Sequence, residues 1–138
     1  MRRPALQRHP DWPARLDAAV ETARSWRFAW GRNDCALWTA SVVRDLTGED
    51  FAADLRGRYR TRNGALVVMA RAGGLACIVT RCLGDPVPIT RAHRGDVCLA
   101  CFDTGPSIGV CIGDRVAFTA PTGLSLVGLL ECEQAWHV

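Results

Sequence analysis

The sequence predicts an α+β fold in one compact domain, and three observations carry that prediction. Apolar residues recur at helical spacing through the first half of the chain, up to residue 88. A Gly84-Asp-Pro-Val-Pro88 breaker then interrupts it, and from Asp96 onward the period changes to that of strands. Helices first and strands second is an α+β order, so residues 1–88 are expected to form a mainly helical half and 95–138 an antiparallel sheet.

Pro10 to Ala23 reads as the first helix, with Trp12, Leu16, Ala19, Val20 and Ala23 on one face and Arg15, Asp17 and Glu21 facing away. Trp26, Phe28 and Trp30 follow with alternating spacing. They either line a pocket beside the next helix or anchor that helix to the core. The stretch from Trp30 to Arg44 sets one cysteine at a helix mouth. Asn33 and Asp34 can accept hydrogen bonds from first-turn N–H groups, which puts Cys35 in the first turn. Two readings of Cys35 follow. The helix N-terminus lowers a cysteine pKa and makes the sulfur a nucleophile; alternatively the residue is a small buried hydrophobe, since it shares a stripe with Trp38, Val42, Val43 and Leu46.

Thr47-Gly48 ends this helix, and Phe51 to Tyr59 makes an irregular connector. Thr61 caps a short helix through Leu66, Val67, Met69 and Ala70 that stops at Gly73-Gly74. Leu75, Ile78, Val79, Cys82 and Leu83 then mark the buried face of another.

In the second half, Val97 to Phe102 is a continuous apolar run, as expected of a strand covered on both faces. Ser107 to Ile112 alternates, and Val116 and Phe118 continue after Gly113-Asp-Arg115. Pairing Ile112 with Val116 and Val110 with Phe118 keeps the bulky residues on one face. That register implies a three-residue hairpin loop and places Ser107, Gly109 and Thr119 together on the opposite face. Leu124 to Leu130 supplies a further strand or two before Ala135 to Val138 closes the chain.

Composition narrows the function classes. The profile, 49% hydrophobic and 22% charged, is that of an ordinary globular domain. The net charge of +3 comes from 17 arginines without a lysine. The densest basic run, Arg56, Arg58, Arg60 and Arg62, is interleaved only with Tyr59 among aromatics, so it reads as a solvated surface and nucleic acid is not an expected partner. No segment approaches a membrane span, and residues 1–10 hold no apolar run of signal-peptide length. The seven cysteines are therefore expected as free thiols of a protein made in the cytoplasm. Cys98-Leu-Ala-Cys101 has the gap of a metal knuckle, but residues three apart in a strand point to opposite faces. Buried structural thiols are expected at Cys82, Cys98, Cys101 and Cys111, and no metal.

Three segments, Asn33-Asp-Cys-Ala-Leu-Trp38, Arg94-Gly-Asp-Val-Cys-Leu-Ala-Cys-Phe102 and Ser107 to Leu126, together resemble the NlpC-type branch of papain-like cysteine peptidases, which cleave peptide bonds in bacterial cell walls. More closely, the chain from about Trp26 onward resembles small proteins encoded in tail-gene clusters of tailed phages, prophages and gene transfer agents. The resemblance implies N-terminal helices packed on a small antiparallel β-meander or barrel, with no cofactor. It matches Cys35 to the family's nucleophile and Gly95-Asp96 to the opening of its first core strand. Ser107 falls where the base histidine belongs, and Thr119 near the third polar residue that orients the base. A serine hydroxyl cannot take a proton from a thiol near neutral pH, whereas an imidazole can. Of the three histidines, His9 is expected in solvent and His93 in a loop far along the first strand from Ser107. His137 is the one stand-in for the base, if the last strand passes near the active face. Two functions follow: a virion component with a degenerate peptidase fold, acting as an adaptor against a tail hub or central fibre protein, or an active hydrolase of peptidoglycan cross-bridges.

Overall fold

A computed structural model describes residues 6–138. Four helices precede the sheet: α1 (Trp12–Ala23), α2 (Cys35–Thr47), α3 (Arg62–Arg71) and α4 (Leu75–Leu83). Pro13 sits in the first turn of α1, where a missing N–H costs nothing. Gly48 closes α2 in the left-handed conformation with its N–H on the Arg44 carbonyl. Thr61 caps α3 as its sequence predicts, through its hydroxyl and the Gly64 N–H. No single helix among the described residues is long and apolar enough to cross a membrane.

The strands are β1 (Val97–Phe102), β2 (Gly105–Cys111), β3 (Arg115–Thr119), β4 (Leu124–Gly128) and β5 (Gln134–Trp136). They form one antiparallel sheet in the order β4-β3-β2-β1-β5. The first four make a meander, and β5 returns to the free edge of β1. The expected α+β order is therefore present, as an open sheet with β4 and β5 at its edges.

Helix α2 lies across one face of this sheet. Ala36, Leu37, Ala40 and Val43 pack with Val97, Leu99, Ile108 and Trp136. Trp38, Val42 and Leu46 pack with α1 and with Val110 and Ala117. The other face buries Cys98, Ala100, Cys111, Val116 and Phe118 beneath the segment from Val87 to Ala92 and beneath Leu129 and Cys132. β1 is thus covered on both faces as far as Ala100, but Cys101 and Phe102 outrun the covering layers and are exposed. The expectation of a buried Cys101 is corrected: its thiol faces outward, 3.6 Å from the Glu133 carboxylate.

The expected β2–β3 register is off by one residue. Cys111 pairs with Val116 and Val110 with Ala117, and the Ile112 N–H donates to the Arg115 carbonyl. The turn therefore has two central residues, Gly113 and Asp114, and Gly113 adopts φ +133°, which favours glycine. A one-residue slip exchanges faces. Val116 and Phe118 join the side of Cys111, while Ala117 and Thr119 fall on the side of Val110 that faces α2. Ser107, Gly109 and Thr119 consequently do not share a face. The pattern rule failed because both faces of this sheet are apolar, so bulk did not distinguish inside from outside.

Candidate active site around Cys35

Asp34 builds the mouth of α2. Its side chain is fully buried. Oδ1 accepts the Leu37 N–H at 3.0 Å, and Oδ2 accepts the Gly31 N–H at 2.9 Å and the Tyr59 hydroxyl at 2.7 Å. Burial, and then the carboxylate beside it, push the Tyr59 hydroxyl well above its usual range, so it stays a donor. Gly31 has φ +81°, and a Cβ there would lie 2.1 Å from the Tyr59 carbonyl oxygen. The backbone before α2 and the connector after it are thereby pressed together around one carboxylate. Asn33 does not cap: its Nδ2 donates to the Arg27 carbonyl, and its Oδ1 is buried without a partner.

Aromatic residues complete this end. Phe28 and Trp30 meet edge to face at 4.8 Å, and Trp30 packs on the core. The strand-like segment before α2 pairs with the turn after β3, Phe28 N–H on the Pro121 carbonyl and Gly123 N–H on the Trp26 carbonyl. Anchoring is therefore what Phe28 and Trp30 do, while Trp26 stays half exposed.

Cys35 faces a gap in the sheet. Pairing of β2 with β3 stops at Val110 and Ala117, although β2 extends back to Gly105 and β3 forward to Thr119. The first turns of α2 use the backbone freed there. The Thr39 hydroxyl donates to the Ile108 carbonyl at 3.2 Å. The Cys35 sulfur receives the Ser107 hydroxyl and the N–H groups of Ile108 and Ala36. Burial nevertheless pushes the Cys35 thiol up; these three donors pull the other way without prevailing, and the adjacent Asp34 carboxylate adds to the rise. Of the two readings of Cys35, the one with a lowered pKa at the helix mouth is thus corrected. The helix end supplies one donor, the Ala36 N–H, and β2 the other two, but desolvation and a neighbouring negative charge outweigh them.

The structure therefore brings Cys35 and Ser107 into contact. Thr119 lies on the α2 side of the sheet just past the last β2–β3 pair, and its hydroxyl oxygen is buried without a partner.

His137 is not brought to this site. It follows Trp136, which pairs with Val97, whereas Ser107 pairs with Ala100 at the other end of β1. From Asp96, which His137 touches, to Ala100 is about 13 Å at ~3.3 Å per strand residue. His93 sits with His137, their rings 5.4 Å apart. His9 is half buried beside the C-terminal end of α2, its N–H on the Leu46 carbonyl, which corrects its expected place in solvent.

Sequence reasoning missed the cluster at that far end of β1: Arg8, His93, Asp96 and His137. Gly95-Asp96 was the one local signal, but the cluster exists only because β5 returns to β1 and residue 8 folds back beneath it.

No curated protein matches the chain. The family described as a domain of unknown function, DUF6950, matches residues 7–138, nearly the whole chain, and the protein belongs to that family.

Proposed function

We propose that this protein is a degenerate relative of NlpC-type cell-wall cysteine peptidases that serves as a structural adaptor in a phage-like tail tip, contacting a tail hub or central fibre protein. The observation that carries the reading is the chemistry around Cys35. Its side-chain partner is the Ser107 hydroxyl, and His93 and His137 are both held at the far end of β1. A hydroxyl cannot act as general base toward a thiol, nor protonate a leaving amine as an imidazolium would. A thiol pushed up by burial is also mostly protonated near neutral pH, and the thiolate is the nucleophile. The sequence resemblance supplies the tail context.

The test is Cys35→Ala in a phage-like particle that carries the gene. Particles should assemble and penetrate the wall as before, and the purified protein should release no peptide from murein. A second reading keeps the hydrolase, with the base donated by a partner chain. The donors aimed at the Cys35 sulfur favour it. Peptide release that disappears on Cys35→Ser, or particles that assemble and lose wall penetration, would establish this reading and end the adaptor proposal.

A further inference from the structure

We propose that His93, Asp96 and His137 bind one divalent transition-metal ion of the zinc class at the start of β1. Each side chain offers one ligand atom, and the three atoms lie within 4.8 Å of one another. Two imidazoles and a carboxylate are a donor set that zinc and its neighbours accept, with a further position left for water.

The carboxylate is prepared for this. Asp96 is 1% exposed, and the left-handed turn at Gly95, φ +94°, leads it in. Its Oδ1 is held by Arg8 at 2.9 Å and by the Val138 N–H at 3.0 Å. Those are the outer bonds that orient a ligating carboxylate. Oδ2 faces the histidines: it accepts the backbone N–H of His93 at 2.8 Å and lies 2.9 Å from His137 Nδ1, and His93 Nδ1 stands 3.8 Å away. The ion takes the place of the proton between His137 Nδ1 and Oδ2 and draws in His93 Nδ1; solvent carries that proton to His137 Nε2, so the ligand stays a neutral imidazole.

Two features oppose binding, and both yield to geometry. The rings are stacked with an interplanar angle of 22°, whereas ligation needs the ion in the plane of each ring. His93 and His137 are 78% and 48% exposed, so rotation about χ2 meets little packing. Arg8 brings a positive charge close, but it is turned to the other carboxylate oxygen, with its guanidinium 4.3 Å from the Trp12 ring centroid. A groove of about 510 Å³, walled by Arg8, Trp12 and Arg94 beside the three ligands, leaves the open position to solvent. Its cationic walls suit an anionic ligand on that position.

This site is independent of Cys35, and its test does not involve that residue. The folded full chain is titrated with Co²⁺ and then with competing Zn²⁺. One equivalent of Co²⁺ should bind with visible d–d absorption and without thiolate charge transfer, which separates this site from the cysteines. His93→Ala, an exposed change that leaves the fold intact, and His137→Ala should each weaken binding at least about tenfold. Absence of binding to the wild type, thiolate charge-transfer absorption, or affinity unchanged in both variants would overturn the proposal.

Discussion

Replacing Asp34 probes how the site is built, because one buried carboxylate serves three donors. In Asp34→Ala the helix cap is lost, about 1 kcal/mol. The Tyr59 hydroxyl, buried and left without an acceptor, adds ~1–3 kcal/mol, and the half-buried Gly31 N–H adds ~1 kcal/mol at the low end of the same range. The sum, about 3–5 kcal/mol, is a large part of the stability of a domain this size. Urea unfolding followed by the fluorescence of the five tryptophans measures it. Tyr59→Phe in the Asp34→Ala background removes the orphaned hydroxyl, so the two changes should be non-additive by ~1–3 kcal/mol. Asp34→Asn, which keeps a capping oxygen, should cost less than Asp34→Ala. A loss below ~1 kcal/mol for Asp34→Ala, or simple additivity with Tyr59→Phe, would refute the tie between α2 and the connector.

The Cys35 thiol should alkylate with an apparent pKa above the free-cysteine value of ~8.5, and Asp34→Asn should lower it by removing a negative charge. Ser107→His should lower it further, since an imidazolium beside the sulfur favours thiolate; a profile unchanged from wild type would contradict the Cys35–Ser107 contact. Gly109→Ala would place a Cβ 2.3 Å from the Ala117 carbonyl oxygen, so the last β2–β3 pair should open at a cost of ~1–3 kcal/mol, read by urea unfolding and by amide exchange at Ala117. Burial pushes the Asp50 carboxyl up, but the Arg56 guanidinium at 2.7 Å and the Ala52 N–H outweigh it and hold it below the usual carboxylate range. Its contribution to stability is therefore complete above the unfolded value and lost as pH falls through the lower folded value. Asp50→Asn should flatten the acid limb of the stability curve between about pH 5 and pH 2, and an unchanged limb would rule that contribution out.

The helical half was legible because its rules are local. A stripe at helical spacing, a Thr61 cap and a Gly48 stop each act within a few residues, and α2, α3 and α4 begin and end where those signals lie. The β2–β3 register was not legible. Pattern reading assumes one apolar face, and here Cys111, Val116 and Phe118 are buried on one side while Val110 and Ala117 are buried on the other. The two-residue turn at Gly113-Asp114 was the better guide to register, being set by backbone conformation. At the site, Asp34 and Cys35 could be read from the cap pattern, but the sign of the Cys35 shift could not. It depends on burial and on Asp34, fixed in place by Tyr59 from a segment with no regular period.

Strand β1 keeps the two polar clusters apart, and this separation has a physical reason. β5 pairs only with the first half of β1, through Val97, Cys98 and Leu99, so β1 carries a partner on both edges at its start alone. Residue 8 and residues 137–138 can reach Asp96 only there, and they do so through Arg8, His137 and the Val138 N–H. At the other end, β2 has left β3, and α2 fills the gap with Cys35 and Thr39. An imidazole delivered by the end of the chain is thereby committed to Asp96 and is kept from the thiol by the length of the strand. Supplying a base to Cys35 from within this fold needs a change on β2 itself, which is why Ser107→His, and no change at His137, is the substitution expected to place an imidazole beside that sulfur.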